Sequence, residues 1–295
     1  MPISTHISGS RIALSVIVPM YREAMRIGPT LKDLVSTLEA SGRAAEIILV
    51  DDGSTDNTVG VARAIIAARS ASARVGMCLL YHRSNRGKGA AVRTGLAAAT
   101  GDWRLIMDAD NSCRVAEVEQ LLALTCDGVG MVAGSRAASG ARVLAKAHRK
   151  AAGLVFQGVL RALGMNLMRD TQCGFKLYRG DVADQVVAHS IEEGFAFDLE
   201  HLLITQATGL RVVEAGVQWK HCDGGHVSPL RDGARMVREA MRIRRRWRAI
   251  GRPSVEQLPQ SLNVPKPRAA VAIEAKPRAA PIVPSVDEPA TVIRQ

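Results

Sequence analysis

Aromatic residues are scarce in this chain: phenylalanine, tryptophan and tyrosine together make up 3% of its 295 residues. Proteins that bind single-stranded nucleic acid need such side chains as stacking platforms, so the shortage argues against that class of binder. The sequence also lacks any Cys-x-x-Cys pair. Its five cysteines are therefore expected to be unpaired thiols in a reducing compartment: Cys78, Cys113, Cys126, Cys173 and Cys222.

Long uncharged runs are missing as well. No window of about 18 residues is free of charge, so the sequence predicts no ordinary membrane span. The first residues show no charged start followed by a long apolar run, so no signal peptide is predicted either. Hydrophobic residues nevertheless amount to 47%, which is enough for a sizeable core in one large domain or two small ones.

Positive charge is in excess, because 39 lysines and arginines face 28 aspartates and glutamates and give a net charge of +11. This balance favours an anionic partner, for which nucleic acid, an anionic membrane surface and an anionic substrate are the candidates. A soluble basic protein without such a partner is the alternative. The absence of a nucleic-acid motif and the few aromatics together argue against nucleic acid.

Short apolar runs alternate with segments of helical spacing over the first half of the chain. We expect strands over 12–18, 46–50, 74–81, 103–107 and 129–133, and helices over 29–39, 58–68 and 90–99. This order predicts an α/β fold with a mainly parallel sheet flanked by helices. Weak alternation over 211–219 predicts one further, partly exposed strand.

Two carboxylates, Asp108 and Asp110, stand at the end of the strand expected over 103–107. Positions i and i+2 of a strand point to the same face, so these anions are expected to project together around a cation. Oxygen ligands favour Mg²⁺ or Mn²⁺, which commonly shares such carboxylates with substrate phosphates. Acidic residues of a surface turn are the alternative.

Other polar side chains also follow strand ends, where the ligands of parallel sheets bind. Their convergence favours the metal site over a surface turn. These side chains are Tyr21, Glu23, Asp51, Asp52 and Arg136.

Several sequence strings resemble the family 2 inverting glycosyltransferases of the GT-A fold. They are SVIVPMYRE at 15–23, VDDGSTD at 50–56, RGKG at 86–89, DAD at 108–110 and GSR at 134–136. Within that family, DTQCGFKL at 170–177 and GFAFDLE at 194–200 resemble the dolichyl-phosphate β-glucosyltransferases, with the dolichyl-phosphate mannose synthases as nearer cousins. The resemblance covers roughly residues 12–250 and implies a nucleotide-diphosphate-sugar donor.

The resemblance also implies roles for the residues at the strand ends. Pro19, Tyr21 and Glu23 would line the nucleoside pocket, and Val50 and Asp52 would reach the base and ribose. Asp108 and Asp110 would hold the cation on the diphosphate, and the guanidinium of Arg136 would bind phosphate oxygens. The expected nucleotide-sugar-binding residues are Pro19, Tyr21, Glu23, Val50, Asp52, Asp108, Ala109, Arg136, Lys220 and His226. A plain turn is the alternative for Tyr21 and Glu23. The glycine-rich stretch 85–89 is expected to be a structural turn rather than a phosphate cradle, with Arg86 or Lys88 near the nucleotide as the other reading.

The chain departs from the mannose synthases after residue 219. Lys220 and His226 stand near where those enzymes carry an arginine and a serine-lysine pair that grip phosphates. A histidine supplies charge only when protonated, with an ordinary pKa of about 6.5, so Arg231 is a substitute for it. Ser112 stands where the mannose synthases often carry glutamine or methionine near the metal, and a direct role for it is not expected.

Two segments combine arginines and lysines with apolar residues, at 137–169 and at 233–248. Both fit amphipathic helices lying in a membrane interface, with Arg149 available for a lipid phosphate. In the second segment, Met236, Ala240, Ile243 and Trp247 form the apolar stripe expected to enter the lipid. The alternative for the first segment is a helix buried against the sheet, and for the second it is a packed C-terminal helix with a solvated basic face.

We divide the chain into a flexible N-terminus over 1–10, a glycosyltransferase domain over 11–250 and a disordered tail rich in proline and alanine over 251–295. The resemblance implies an enzyme peripheral on the cytoplasmic face of a membrane. It would move glucose from UDP-glucose to a polyprenyl or dolichyl phosphate with inversion. A GDP-mannose-dependent enzyme and a family 2 enzyme with a hydroxyl acceptor are the alternatives.

The expected catalytic residues are Asp110, Arg136 and Asp198. Asp198 and Glu200 are the candidates for a general base, although a phosphate acceptor is already an anion and favours a positioning role for both. Arg149 and Arg231 are the candidates for the acceptor phosphate. A nucleotide-sugar-binding module without activity is the rival from another class, and the intact pair Asp108 and Asp110 argues against it.

Overall fold

A computed structural model of the chain describes residues 11–69, 74–144, 147–222, 229–251 and 254–258. The strands of this part are β1 (Leu14–Met20), β2 (Ala45–Asp51), β3 (Val75–Tyr81), β4 (Trp103–Met107), β5 (Val129–Ser135), β6 (Arg142–Leu144), β7 (Phe175–Arg179), β8 (Arg211–Gly216) and β9 (Gln218–Lys220). The helices are α1 (Ile27–Ala40), α2 (Thr58–Ala67), α3 (Lys88–Ala98), α4 (Val118–Leu122), α5 (Ala147–Ala162), α6 (Gly180–His189), α7 (Phe197–Ala207) and α8 (Pro229–Ile250).

Seven strands form one sheet in the order β3-β2-β1-β4-β7-β5-β8. β1 pairs in parallel with β2 and β4, β2 with β3, and β5 with β8, whereas β7 runs antiparallel between β4 and β5. The expected α/β fold with a mainly parallel sheet is therefore confirmed. β7 was not expected, because Lys176, its second residue, interrupts the apolar run that marks a buried strand.

The core lies on both faces of the sheet, since the residues of β1 and of most of its neighbours are buried throughout. Leu31, Leu34 and Leu38 of α1 cover one face. On the other face α3 approaches closely, because a Cβ at Gly95 would lie 2.3 Å from Cγ2 of Ile17. The small residues of α3 are thus a packing requirement of the sheet.

The first strand ends later than expected, at Met20 rather than 18. β4 pairs with β1 only as far as Ile17, so Pro19 lies beyond that ladder and does not interrupt it. The strand expected over 211–219 is in fact two. β8 ends at Gly216, and β9 leaves the large sheet to pair with β6 in a second sheet of two strands.

The apolar stripe of α8 packs on the domain. Ala240 and Ile243 are 0% and 1% exposed and lie in a cluster with Leu160 and Leu199. The expectation that this stripe enters lipid is therefore wrong for these residues, and the alternative of a packed helix with a basic outer face is the one observed. Among the described residues, no helix combines the length and the apolarity needed to cross a bilayer.

Candidate active site

The loop after β1 and the end of β4 meet at the carboxyl edge of the sheet. The guanidinium of Arg26 lies 2.6 Å from the Glu23 carboxylate and 3.8 Å from Oδ2 of Asp110. The hydroxyl of Thr30 donates to the Ala109 carbonyl at 2.8 Å. α1 therefore carries the contacts that join Glu23 to the Asp108–Asp110 segment.

Asp108 and Asp110 are both half-buried at this edge, and their neighbours differ. Nζ of Lys88 lies 2.6 Å from Oδ1 of Asp108, whereas Oδ1 of Asp110 accepts the Ser112 amide at 2.9 Å. Each carboxylate keeps a second oxygen that accepts no hydrogen bond from the described residues. Beside them, the buried hydroxyl of Ser112 lacks a partner there.

The carboxylates of Asp108 and Asp110 fit a divalent cation that takes its remaining ligands from a bound substrate. No group of three or more histidine, cysteine or carboxylate side chains that could hold a metal occurs in the described part of the chain. Two carboxylates are nevertheless the usual protein share of a magnesium or manganese site, because substrate phosphates supply further oxygens. Asp108 and Asp110 are the residues that would hold the ion.

Lys88 lies in the site itself, whereas the sequence suggested only a position near the nucleotide, as the alternative to a structural turn. Burial alone would lower the pKa of its ammonium, but Asp108 and Asp198 raise it above the ordinary value. The lysine is therefore a fixed positive charge between two carboxylates. It begins α3 directly after Gly87, whose φ of 114° and whose approach to the Glu193 carbonyl exclude a side chain.

Asp52 is buried and accepts three hydrogen bonds from the chain itself. Its donors are the Arg86 and Gly87 amides at 3.0 and 2.7 Å and Nδ1 of His82 at 2.6 Å. Its carboxylate thus holds the turn before α3, a role that the sequence analysis did not anticipate. Oδ1 of the neighbouring Asp51, which is also buried, has no hydrogen-bond partner among the described residues.

Arg136 is oriented by Asp170. Its Nε and one Nη donate to the two Asp170 oxygens at 2.7 and 2.9 Å, and its guanidinium lies 5.4 Å from the centre of the Trp219 ring. Although burial alone would raise the pKa of Asp170, the fork of Arg136 lowers it below the ordinary value. Among the described residues, the second Nη of Arg136 donates no hydrogen bond.

Lys176 and Asp198 form a buried ion pair beside the same edge. Nζ of Lys176 donates to Oδ1 of Asp198 at 2.7 Å and to the carbonyls of Thr171 and Cys173 at 3.1 and 2.6 Å. Burial raises the pKa of Asp198, while the charges of Lys176 and Lys88 lower it. Asp198 is thus the counter-ion of a lysine rather than a free carboxylate.

Glu200 is likewise committed to the fold. It is fully buried, and one of its oxygens accepts the amides of Ile191 and Glu192 at 2.9 and 2.7 Å. The guanidinium of Arg246 lies against the other oxygen. This residue therefore lacks the freedom that a general base for a substrate needs.

The remaining expected residues differ in what the structure describes. Pro19 and Val50 are buried at the ends of β1 and β2, and Tyr21 is half-buried after β1. Lys220 is exposed, and its amide donates to the Ser112 carbonyl at 2.8 Å, which brings β9 beside the Asp110 loop. His226 lies outside the described residues, as do the side chains of Arg149 and Arg231.

The sequence is similar to known glycosyltransferases. The model of glycosyl transferase family 2 matches residues 15–187. A dolichyl-phosphate beta-glucosyltransferase of Dictyostelium discoideum is 31% identical over 248 residues, which cover 80% of this chain and 75% of that protein. The enzyme of the same name from Saccharomyces cerevisiae is 30% identical over 257 residues, with 82% and 77% covered.

The fold is shared with a solved enzyme. Glucosyl-3-phosphoglycerate synthase from Mycobacterium tuberculosis, in complex with Mn²⁺ and uridine-diphosphate-glucose, superposes with a TM-score of 0.58 at 21% identity and covers 78% of this chain and 77% of its own. At that identity the likeness establishes the fold alone. The family match and the identity to the curated relatives establish more: the chain belongs to glycosyltransferase family 2.

Proposed function

We propose that this glycosyltransferase moves glucose from UDP-glucose to the phosphate of a polyprenyl or dolichyl phosphate, with inversion at the anomeric carbon. The relatives named dolichyl-phosphate beta-glucosyltransferase support this assignment. The observation that carries the choice of a phosphate over a hydroxyl acceptor is the buried pair of Lys176 and Asp198. The pair ties Asp198, one of the two candidate bases, to a lysine.

The donor half of the site follows from the strand ends. The nucleoside is assigned to Pro19, Tyr21, Glu23, Val50 and Asp52. A further acceptor is Oδ1 of Asp51, which has no hydrogen-bond partner among the described residues. Asp108 and Asp110 would hold Mg²⁺ or Mn²⁺, which when bound supplies positive charge to the leaving diphosphate. Arg136, already aimed by Asp170, adds a guanidinium, and Lys220 and His226 extend the phosphate contacts.

The acceptor half needs orientation rather than proton removal. A phosphate monoester is an anion near neutral pH, so its oxygen can form the new bond to the anomeric carbon while the bond to the UDP oxygen breaks. UDP leaves with the bonding electrons. Arg149 and Arg231 are the proposed contacts for the acceptor phosphate. A hydroxyl acceptor would instead require a base to take its proton, and Asp198 is tied to Lys176.

The lipid-linked acceptor is met at a membrane surface in this proposal, on the cytoplasmic face. The outward side of α8 is dense in positive charge, while its apolar stripe is used inside the domain. Attraction to anionic headgroups at about 1 kcal/mol per residue near the surface is the physical basis. The exposed arginines of α8 are Arg235, Arg238, Arg242, Arg245 and Arg248.

A four-way transfer assay tests the function. The full chain is incubated with Mn²⁺ and labelled UDP-glucose or GDP-mannose, each with polyprenyl phosphate or with the matching polyprenol. Label is expected in lipid only for UDP-glucose with the phosphate, and Asp110→Asn is the inactive control. Transfer to polyprenol would contradict the phosphate acceptor, and transfer of mannose alone would contradict the donor.

A sedimentation assay tests the surface. The protein is expected to sediment with vesicles containing anionic lipid, to remain free with neutral vesicles, and to be released by high salt, because charge attraction is screened over about 10 Å at 0.1 M. Equal binding to neutral vesicles would contradict an electrostatic contact.

A further inference from the structure

The loop between α6 and α7 (residues 190–196, named here the clamp loop) lies between the donor site and α8. Its position is fixed by three buried carboxylates with 5%, 0% and 4% exposure, those of Glu192, Glu200 and Glu239. Burying three acids is costly unless each has donors, and here the donors come from the clamp loop itself and from the arginines of α8.

On one side the clamp loop holds the start of α3. The Gly89 and Ala90 amides donate to the Glu193 carbonyl at 2.9 and 3.3 Å. The Glu193 carboxylate lies 2.5 Å from the Arg86 guanidinium and 3.1 Å from that of Arg93. The turn over 86–89 is therefore held against the clamp loop by backbone hydrogen bonds and by ion pairs.

That turn also makes two contacts of the proposed donor site. Its Arg86 and Gly87 amides hold the Asp52 carboxylate, and Lys88 holds Asp108 at 2.6 Å. A small displacement of the turn would thus move a cation-site carboxylate. The turn and the clamp loop are tightly packed, since a Cβ at Gly87 would stand 2.3 Å from the Glu193 carbonyl oxygen.

On the other side α8 holds the clamp loop. One Nη of Arg242 lies 2.9 and 2.7 Å from the two oxygens of Glu192. Glu239 of α8 accepts the Ala196 amide at 3.2 Å, and a Cβ at Gly194 would stand 2.3 Å from its carboxylate. The helix is thus connected to the turn over 86–89 through the clamp loop.

We propose that Arg242 and Glu192 are positioning residues for the nucleotide-sugar donor, acting through the clamp loop on the turn over 86–89. This inference rests on the proposed function for the identity of the donor. It assigns α8 a role inside the enzyme that is separate from its proposed membrane contact: without the Arg242–Glu192 pair the turn is less fixed, and Asp108 and Asp52 are presented less accurately.

Arg245 offers a matched control on the same helix. It is exposed and forms no ion pair with any residue in the described part of the chain. Arg242→Gln and Arg245→Gln remove the same charge from the same outward side, so a general effect of the basic face would be equal in both. Glu192→Gln removes the other partner with an isosteric side chain.

Hydrogen–deuterium exchange of the full chain without ligand reads the coupling directly. Arg242→Gln and Glu192→Gln are expected to speed exchange of the amides over 86–90 by about threefold to fivefold, the range for loss of one partly exposed ion pair. Arg245→Gln should leave these amides unchanged, and the amides of β2 should be unchanged in all three variants.

Calorimetric titration with UDP and Mn²⁺, without lipid, reads the consequence. Both pair variants are expected to bind UDP about threefold to fivefold more weakly, and the double variant no more weakly than either single one. A purely structural pair would lower the thermal midpoint but leave UDP affinity and the 86–90 amides unchanged, which would overturn the inference. An equal loss in Arg245→Gln would also overturn it.

If the wild-type chain binds no UDP, the proposed donor is wrong, and the exchange experiment still decides whether α8 positions the turn.

Discussion

Asp198→Asn separates the two classes of acceptor, and its effect on stability can be worked out from the buried pair. Lys176 is 1% exposed, and the substitution leaves its ammonium with two carbonyl acceptors and no ion-pair partner among the described residues. Breaking a buried pair in this way costs about 3–5 kcal/mol of unfolding free energy. Since the asparagine carbonyl can still accept from Nζ, we expect about 3 kcal/mol, or a midpoint lower by roughly 6–12 °C.

Activity should change far less than stability. If Asp198 only holds Lys176, glucose transfer to polyprenyl phosphate at a temperature well below the midpoint should fall by less than about tenfold, whereas loss of a general base costs about 10²–10⁴. Asp184→Asn is the matched control, because it removes an exposed partner of Arg104. A thousandfold loss of turnover in a folded Asp198→Asn enzyme would refute the reasoning and restore the hydroxyl acceptor.

Three further substitutions test the site. Asp110→Asn should abolish turnover and weaken Mn²⁺-dependent donor binding in a titration, and full activity in the presence of a chelator would contradict the metal assignment. Gly174→Ala would place a Cβ 2.2 Å from the Asp108 carboxylate, so the Mn²⁺ requirement and the KM for the donor should both rise while circular dichroism stays unchanged. Asp170→Asn should lower the unfolding free energy at neutral pH. Because Arg136 lowers the pKa of Asp170 in the folded state, this difference from wild type should shrink as pH falls below about 4 in denaturant titrations, and a difference independent of pH would contradict it.

The sheet and the place of the site could be predicted because they depend on local patterns. Parallel strands covered on both faces are continuous apolar runs, and every residue of β1 and all of β2 except Glu46 are buried. The rule that ligands bind at the carboxyl ends of such strands then brings Glu23, Asp108 and Arg136 to one edge. β7 could not be predicted in this way, because its second residue is the buried Lys176, whose charge is balanced by Asp198, 22 residues away.

The sequence could not show which of two neighbouring side chains has hydrogen-bond partners within the protein and which does not. Asp51 and Asp52 are adjacent, and only the fold shows that Asp52 is used by amides 34 and 35 residues further on while an oxygen of Asp51 stays without a partner. In the same way Lys88 and Asp108 belong to different elements and meet only in the folded chain. Such choices depend on contacts between distant segments, which a strand or helix pattern does not contain.

The C-terminal helix shows where amphipathic spacing is ambiguous. An apolar stripe indicates a face that must be covered, and Ala240 and Ile243 would satisfy lipid and protein equally well. Glu239 is the residue that decides between them, because it lies on the buried side at 4% exposure with Arg235 and the Ala196 amide as donors. A carboxylate on a lipid-facing stripe would have no such donors and would be costly there. The stripe therefore belongs to the protein, and any attraction of this helix to a membrane must come from its exposed arginines, as a contact that salt weakens.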